Sequence, residues 1–123
     1  IWQFASNGEP VTDTINGTKE LLDRVEEVDP NVLHILQIEN PSPRSNYQNM
    51  IDDSWTWANA TLDYAVQKGY DAIVINPNPY LPQDFVALAG TGNLGQYFNN
   101  NVHENSLGAY TVFNATWTAM ENY

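Results

Sequence analysis

The fold is decided by the stretch Gly69-Tyr70-Asp71-Ala72-Ile73-Val74-Ile75-Asn76-Pro77. Its middle, residues 71–75, is a largely apolar run rich in β-branched residues, with Gly69 before it and Asn76-Pro77 after it. An apolar run without polar alternation is typical of a strand covered on both faces, as in a parallel sheet. In open α/β sheets, ligands bind outside the carboxyl ends of such strands. The stretch therefore predicts a buried parallel strand with Asn76 at the rim of a crevice.

The residues before this strand predict two further strands and two helices. The expected order is a strand over 1–5, a helix capped by Thr12 or Asp13 and ending at Val28, a strand over 32–38, and a long helix from Ser45 or Asn46 to Lys68. Right-handed crossovers in a β-α-β-α-β order place parallel strands side by side with helices on both faces. The predicted fold class is α/β, a three-layer open parallel sheet of the flavodoxin-like or Rossmann-like kind. One domain over residues 1–123 is expected.

The remainder of the chain predicts less regular structure. Residues 84–89 are either a fourth strand or the end of a short helix that begins near Leu81, and residues 96–102 are a candidate strand. A last helix capped by Ser106 is expected to present one apolar face, formed by Leu107, Tyr110, Phe113, Trp117 and Met120. By their spacing, Trp2, Trp55, Trp57 and Trp117 are interpreted as mostly core residues; Trp57 lies off the apolar stripe that contains Trp55, so the alternative for Trp57 is an exposed position.

Composition excludes several function classes. Four Lys and Arg against 15 Asp and Glu give a net charge of −11, which disfavours nucleic acid and anionic membranes as partners. Without cysteine there is no disulfide or thiolate metal site, and two histidines far apart predict no zinc site. No run approaches the length of a membrane span, so no membrane insertion is expected. N-x-T sequons at Asn16, Asn59 and Asn114 favour an exported glycoprotein, either extracellular or periplasmic.

Polar side chains gather where the predicted strands end. The candidate ligand-binding residues are Asn7, Asn40, Asn76, Asn78 and Asn105, with Glu39 nearby. Side-chain amides donate and accept hydrogen bonds at once, which suits the hydroxyl groups of a neutral polyol or carbohydrate. The alternative is that these are ordinary polar loops, because asparagine is favoured in turns for its own conformational reasons.

Two other motifs suggest chemistry. Gly90, Gly92 and Gly95 match G-x-G-x-x-G, which binds a nucleotide phosphate only between a strand and a helix. The residues after Gly95 predict a poor helix, so a plain loop is favoured and no cofactor is expected. His103-Glu104 is a candidate acid/base pair, but no nucleophile at a recognisable spacing completes a site. His34, within an apolar strand, is interpreted as a core histidine.

Several short patches resemble the amino-terminal lobe of type I periplasmic binding proteins, the sugar-binding and LacI-like group. They are Asn7-Gly8-Glu9-Pro10, Gly17, Gly69–Pro77 and Glu104–Tyr110. The resemblance implies a sugar-like solute held at the strand ends, no catalysis, and a second lobe or a second copy as partner. The family's ligand-gripping Asp-Arg pair would fall near Gly90-Thr91, where the sequence does not match it.

A second resemblance is to type II dehydroquinases, which have a similar fold and length. Ile75-Asn76-Pro77 and Asn101-Val102-His103 are similar to two of their segments. This resemblance implies a lyase, although the family's catalytic histidine would fall near Pro82. Three hypotheses follow: a non-catalytic binding domain for a sugar-like solute, a flavodoxin-like enzyme using His103 or the Gly90–Gly95 loop, and an acidic extracellular interaction module.

Overall fold

The computed structural model describes residues 1–4 and 9–123 and confirms the α/β fold class. Three strands form one parallel sheet in the order β1-β2-β3, consistent with an open flavodoxin-like fold. The elements in chain order are β1 (Trp2–Gln3), α1 (Val11–Val28), β2 (Leu33–Gln37), α2 (Tyr47–Lys68), β3 (Asp71–Ile75), a 3-10 helix (Asn78–Tyr80), α3 (Gln83–Val86) and α4 (Ser106–Glu121).

Contacts divide the chain into two compact units. Unit 1 comprises Ile1–Ile38 and Asp52–Val74, and unit 2 comprises Glu39–Ile51 and Ile75–Tyr123. In unit 1, β1 pairs with β2 in parallel, with Trp2 opposite Leu36 and Gln3 opposite Gln37. The core of unit 1 consists of Phe4, Ile15, Leu36, Ile38, Trp57 and Ala58.

Trp57 is a core residue, and the alternative of an exposed position was wrong. Trp57 is 1% exposed, whereas Trp55 is 38% exposed. Helix α2 buries a face of mostly small residues, namely Ser54, Trp57, Ala58, Thr61 and Ala65. Small residues let the helix backbone approach its neighbours closely, and Trp57 fills the remaining space while its Nε1 donates to Thr18 Oγ1 at 2.9 Å. Counting only large apolar residues selected the wrong face.

The helix starts also differ from the prediction. Helix α1 begins at Val11 after Pro10, and neither Thr12 nor Asp13 caps it. Helix α4 is capped by Asn105 rather than Ser106, because Asn105 Oδ1 accepts from the backbone N–H of Gly108 at 2.9 Å. Pro10, directly before α1, has a fixed φ that is compatible with the start of a helix. Asparagine, as at position 105, is among the strongest capping residues.

Unit 2 has its own core. It is formed by Leu81, Phe85, Leu88, Tyr97, Phe98 and Ala115. Of the two alternatives for residues 84–89, the short helix is the observed one, as α3. The candidate strand over 96–102 was wrong: the described residues there form only an isolated antiparallel bridge between Phe98 and Glu104. The residue type at 108 is constrained as well, because a Cβ there would clash with the Tyr97 carbonyl oxygen.

Candidate functional site

The predicted ligand-binding asparagines divide into three groups. Asn7 lies outside the described residues. Asn76 and Asn105 have structural roles: Asn76 Oδ1 accepts from the Asn78 N–H at 3.1 Å, and the Asn105 amide both caps α4 and donates to the Gln96 carbonyl at 2.8 Å. Asn40 and Asn78 remain as candidates for binding, and both belong to unit 2.

Asn40 is the most unusual polar residue of unit 2. It follows the end of β2 by three residues and is only 4% exposed. Neither its Oδ1 nor its Nδ2 has a hydrogen-bond partner within residues 1–4 and 9–123. Leaving a buried polar group unpaired costs about 1–3 kcal/mol, so buried amides in folded proteins are nearly always satisfied. The Asn40 amide is therefore prepared to bond with something outside the described chain.

Asn78 lies against the same peptide. Its Nδ2 donates at 3.0 Å to the backbone carbonyl oxygen of Glu39, which belongs to the peptide bond between Glu39 and Asn40. Its Oδ1 is buried and, like the Asn40 amide, has no partner among the described residues. The turn made by Asn76 fixes the start of the 3-10 helix on which Asn78 lies. We call Glu39, Asn40 and Asn78 the amide site.

Glu39 contributes a carboxyl group with altered acidity. Burial raises the pKa of Glu39 from 4.5 to about 7, against the lowering effect of the Asn40 backbone N–H. The nearby Glu104 carboxylate raises this pKa further, and the Arg44 guanidinium lowers it. Near neutral pH the carboxyl is therefore divided between its protonated and ionised forms. The protonated form both donates and accepts hydrogen bonds, so the amide site combines donors and acceptors without a fixed charge.

A glycine loop flanks the chain segment that follows Asn40. The Gly90 N–H donates to the Ser42 carbonyl and the Gly92 N–H to the Pro43 carbonyl, each at 2.9 Å. Gly90 has a φ of +71°, which favours glycine, and the Tyr47 ring lies beside it. These N–H groups are already used, α3 rather than a strand precedes the loop, and no helix follows it directly. The geometry needed for a nucleotide phosphate is not formed here.

Two surface depressions lie within unit 2. One, of about 380 Å³, is lined by Asn78, Pro79, Leu81, Gln83, Val86 and Ala87, so one residue of the amide site lines it. The other, of about 540 Å³, is lined by Gly92, Leu94, Asn99, Asn100, Asn101, Val102 and His103. The larger one is shallower, and its exposed His103 and Asn100 side chains bond to each other. We favour the smaller one because Asn78, a residue of the amide site, lines it.

His34 belongs to a different, fully bonded cluster in unit 1. Trp2 Nε1 donates to His34 Nδ1 at 3.0 Å, so Nδ1 carries no proton, and His34 Nε2 lies 2.9 Å from a Glu26 carboxylate oxygen. Beside it, the hydroxyls of Tyr70 and Tyr64 donate to Asp23 at 2.6 and 2.7 Å. His34 is 1% exposed, and the histidine is a core residue, as the sequence predicted.

Glu39 is the one site residue that the sequence analysis did not select. It was noted among the polar residues at the strand ends, but its burial depends on unit 2 segments that are distant in sequence. Within the described residues, no three His, Asp or Glu side chains lie close enough together to bind a metal ion. None of the described helices has the length and apolar character required to cross a bilayer. Comparisons with protein-family models, curated proteins and solved structures find no match.

Proposed function

We propose that this protein binds a small neutral solute rich in hydroxyl groups, such as a sugar, at the amide site, without catalysis. The observation that carries the proposal is the Asn40 amide, buried yet without a hydrogen-bond partner in the part of the chain that the structure describes. With the Oδ1 of Asn78, whose own Nδ2 bonds to the Glu39 carbonyl, it offers two acceptors and one NH₂ donor. Hydroxyl groups donate and accept at once, so they match this set.

The charge of the site supports an uncharged ligand. A cation would favour the ionised Glu39 carboxylate, but burial raises the pKa of Glu39 to about 7 and so disfavours that charge. An anion would be repelled by Glu104 and by the net charge of −11. A neutral ligand meets neither penalty.

The resemblance to one lobe of a type I periplasmic binding protein agrees with a site at the strand ends. We therefore include in the proposal a second lobe or a second copy as the partner that closes over the ligand. The proposed location is outside the cytoplasm. The three sequon asparagines are all exposed, which is compatible with export.

Calorimetry against a panel of neutral mono- and disaccharides tests the proposal. We expect binding to at least one sugar, and at least a tenfold loss of affinity in Asn40→Leu, which keeps the branching and the number of side-chain heavy atoms. The matched control is Asn59→Leu, an exposed asparagine of unit 1, which should bind as the wild type does. Binding of a sugar that is unchanged in both Asn40→Leu and Asn78→Leu would remove the amide site from the proposal.

The raised pKa of Glu39 favours a second candidate, an enzyme with acid/base chemistry. A carboxyl group with a pKa near 7 beside a second carboxylate, Glu104, is a pattern found in acid/base pairs. Assays with nitrophenyl glycosides between pH 5 and 8 test this candidate. Turnover that is lost in Glu39→Gln but kept in the exposed-residue control Glu27→Gln would favour it over pure binding.

A further inference from the structure

The exposed face of α4 carries large apolar side chains that do not pack in the core of unit 2. The helix buries its small residues Gly108, Ala115, Thr116 and Ala119. Its large apolar residues, which the sequence predicts to lie on one face, are instead exposed: Tyr110 by 63%, Phe113 by 62% and Trp117 by 52%. Exposed apolar patches of this kind mark surfaces that are covered in the functional protein.

The aromatic rings on this face are held in place. Phe113 and Trp117 are stacked, with ring centroids 6.5 Å apart and an angle of 26° between their planes. Trp117 Nε1 donates to the Glu121 carboxylate at 2.7 Å, which fixes the indole. The result is a flat, ordered aromatic surface.

Asn114 lies at the edge of this surface. It is exposed, it is the residue directly after Phe113, and it lies four residues from Tyr110 and three from Trp117, spacings at which helix side chains are neighbours. Asn114-Ala115-Thr116 is also one of the three N-x-T sequons. By contrast, the helix neighbours of the sequon residue Asn16 are polar, namely Thr12, Asp13, Lys19 and Glu20.

We infer that Asn114 carries an N-linked glycan whose first sugar rings cover the aromatic face of α4. In the reaction, Asn114 Nδ2 attacks the anomeric carbon of a lipid-diphosphate-linked oligosaccharide. A new C–N bond forms, the C–O bond to the diphosphate breaks, the lipid diphosphate leaves and Nδ2 loses one proton. Thr116 is 8% exposed once folded, so transfer occurs on the chain before α4 packs.

The charge and the area of the aromatic face of α4 favour a glycan as the group that covers it. Glu121 is the only charged residue of α4, so the face suits an uncharged partner whose weakly positive C–H groups pack on ring faces. A second copy would bring another net charge of −11. Three half-exposed rings also offer roughly 300 Å², below the about 800 Å² per partner of a standard protein interface.

The inference depends on export, which is part of the proposed function, but not on the amide site. The experiment secretes the 123-residue protein from a glycosylating eukaryotic host in two single-sequon forms. One is Asn16→Gln/Asn59→Gln, which keeps Asn114, and the other is Asn59→Gln/Asn114→Gln, which keeps Asn16. Intact mass gives the occupancy, and thermal unfolding is measured before and after enzymatic removal of the glycan.

We expect Asn114 to be occupied, and removal of its glycan to lower Tm by about 3 °C or more. Removal of the Asn16 glycan should lower Tm by less than about 1 °C, because the helix neighbours of Asn16 are polar. In the Asn114 form carrying Phe113→Ala/Trp117→Ala, the effect of the glycan on Tm should disappear. Both rings are exposed, so this variant should fold.

Three results would overturn the inference. The first is an unmodified Asn114, and the second is a glycan effect on Tm that persists without Phe113 and Trp117. The third is a dimer of the glycosylated protein in ultracentrifugation that Phe113→Ala/Trp117→Ala dissolves, which would make a second copy the occupant. Sugar calorimetry at the amide site should be unaffected by any of these variants, so the two proposals fail separately.

Discussion

Two polar clusters of this protein differ in whether their buried polar atoms have hydrogen-bond partners. In unit 1, Trp2, His34 and Glu26 form a continuous hydrogen-bonded chain. In unit 2, the amide of Asn40 is buried to nearly the same degree as His34 but is left without a partner in the described chain. A satisfied network makes a core rigid and specific, whereas an unsatisfied one lowers stability until a ligand completes it. The first cluster therefore stabilises the folded state, and the second fits the binding function that we propose.

The two units also differ in the pKa of one carboxyl group each. The hydroxyls of Tyr70 and then Tyr64 lower the pKa of Asp23, because they donate to its ionised form. Burial raises the pKa of Glu39 to about 7. The Asp23 charge thus supports the folded state, while the Glu39 charge works against it. Substitutions at His34, Glu39, Asp23 and Asn40 test this difference between the two units.

The largest effect is expected from His34→Ala. It leaves Trp2 Nε1 and the Glu26 carboxylate without their partner and opens a cavity beside β2. We expect a loss of about 4 kcal/mol in the free energy of unfolding, measured by urea denaturation. His103→Ala removes an exposed histidine and should cost less than about 0.5 kcal/mol. A cost below about 1 kcal/mol for His34→Ala would show that the unit 1 network is not stabilising.

The next effect is the pH dependence carried by Glu39. Its pKa is about 7 in the folded protein against 4.5 as the ordinary value, so the folded state binds more protons between these pH values. Its contribution to stability therefore falls as pH rises from 4.5 to 7, by on the order of 3 kcal/mol. Urea denaturation of wild type and Glu39→Gln should show the wild type losing stability relative to the variant over that range.

Asp23→Asn is the matched control, and it should behave in the opposite sense. The pKa of Asp23 is lowered in the folded state, so the wild type should lose stability relative to this variant as pH falls below the ordinary aspartate range. Parallel pH profiles for the two variants would contradict the contrast between the units.

At Asn40 we expect a smaller effect, and it should raise the free energy of unfolding, whereas most substitutions of buried residues lower it. Asn40→Leu replaces two buried polar atoms that have no partner in the described chain and keeps the branching of the side chain, so it should stabilise the ligand-free protein by about 1 kcal/mol. Thermal unfolding measures it. Asp23→Leu removes the acceptor of two tyrosine hydroxyls and should destabilise the protein instead. Destabilisation by both changes would mean that the Asn40 amide is already paired.

The smallest effect separates the structural asparagines from those of the amide site. Asn105→Ala removes the cap of α4 and should cost about 1 kcal/mol, as other asparagine caps do. Sugar affinity should stay within about twofold of the wild type, because both ends of this amide are already bonded. A large loss of affinity measured by calorimetry would return Asn105 to the binding residues.

The sequence predicted the strands better than it predicted which helix faces are buried. Residues 71–75 form β3 with the expected bounds, because a β-branched apolar run between glycine and proline allows few alternatives. Helices α2 and α4 bury small residues, and the larger residues beside them stay exposed. Periodicity gives the period of a helix but not the surface that it meets, so Trp55 and the α4 face were assigned to the wrong side.

The site was predictable only in outline. The positions of Asn40, Asn76 and Asn78 after strands indicated where polar residues gather. Which amides are consumed depends on turn and cap geometry: Asn76 closes a turn, whereas Asn78 keeps a free oxygen. The burial that raises the pKa of Glu39 is set by contacts in unit 2 that are distant in sequence.

The most direct test of the account is a ¹H–¹⁵N spectrum of the asparagine side-chain NH₂ groups, in which the Asn40 pair is assigned by its absence in Asn40→Leu. In the ligand-free protein, we expect the Asn40 protons to resonate upfield, as for a group without an acceptor. They should move downfield when the sugar found by calorimetry is added. The Asn105 pair, which donates to the Gln96 carbonyl, should stay unchanged. Asn40 protons that are already downfield in the free protein, and that do not move with ligand, would contradict the account.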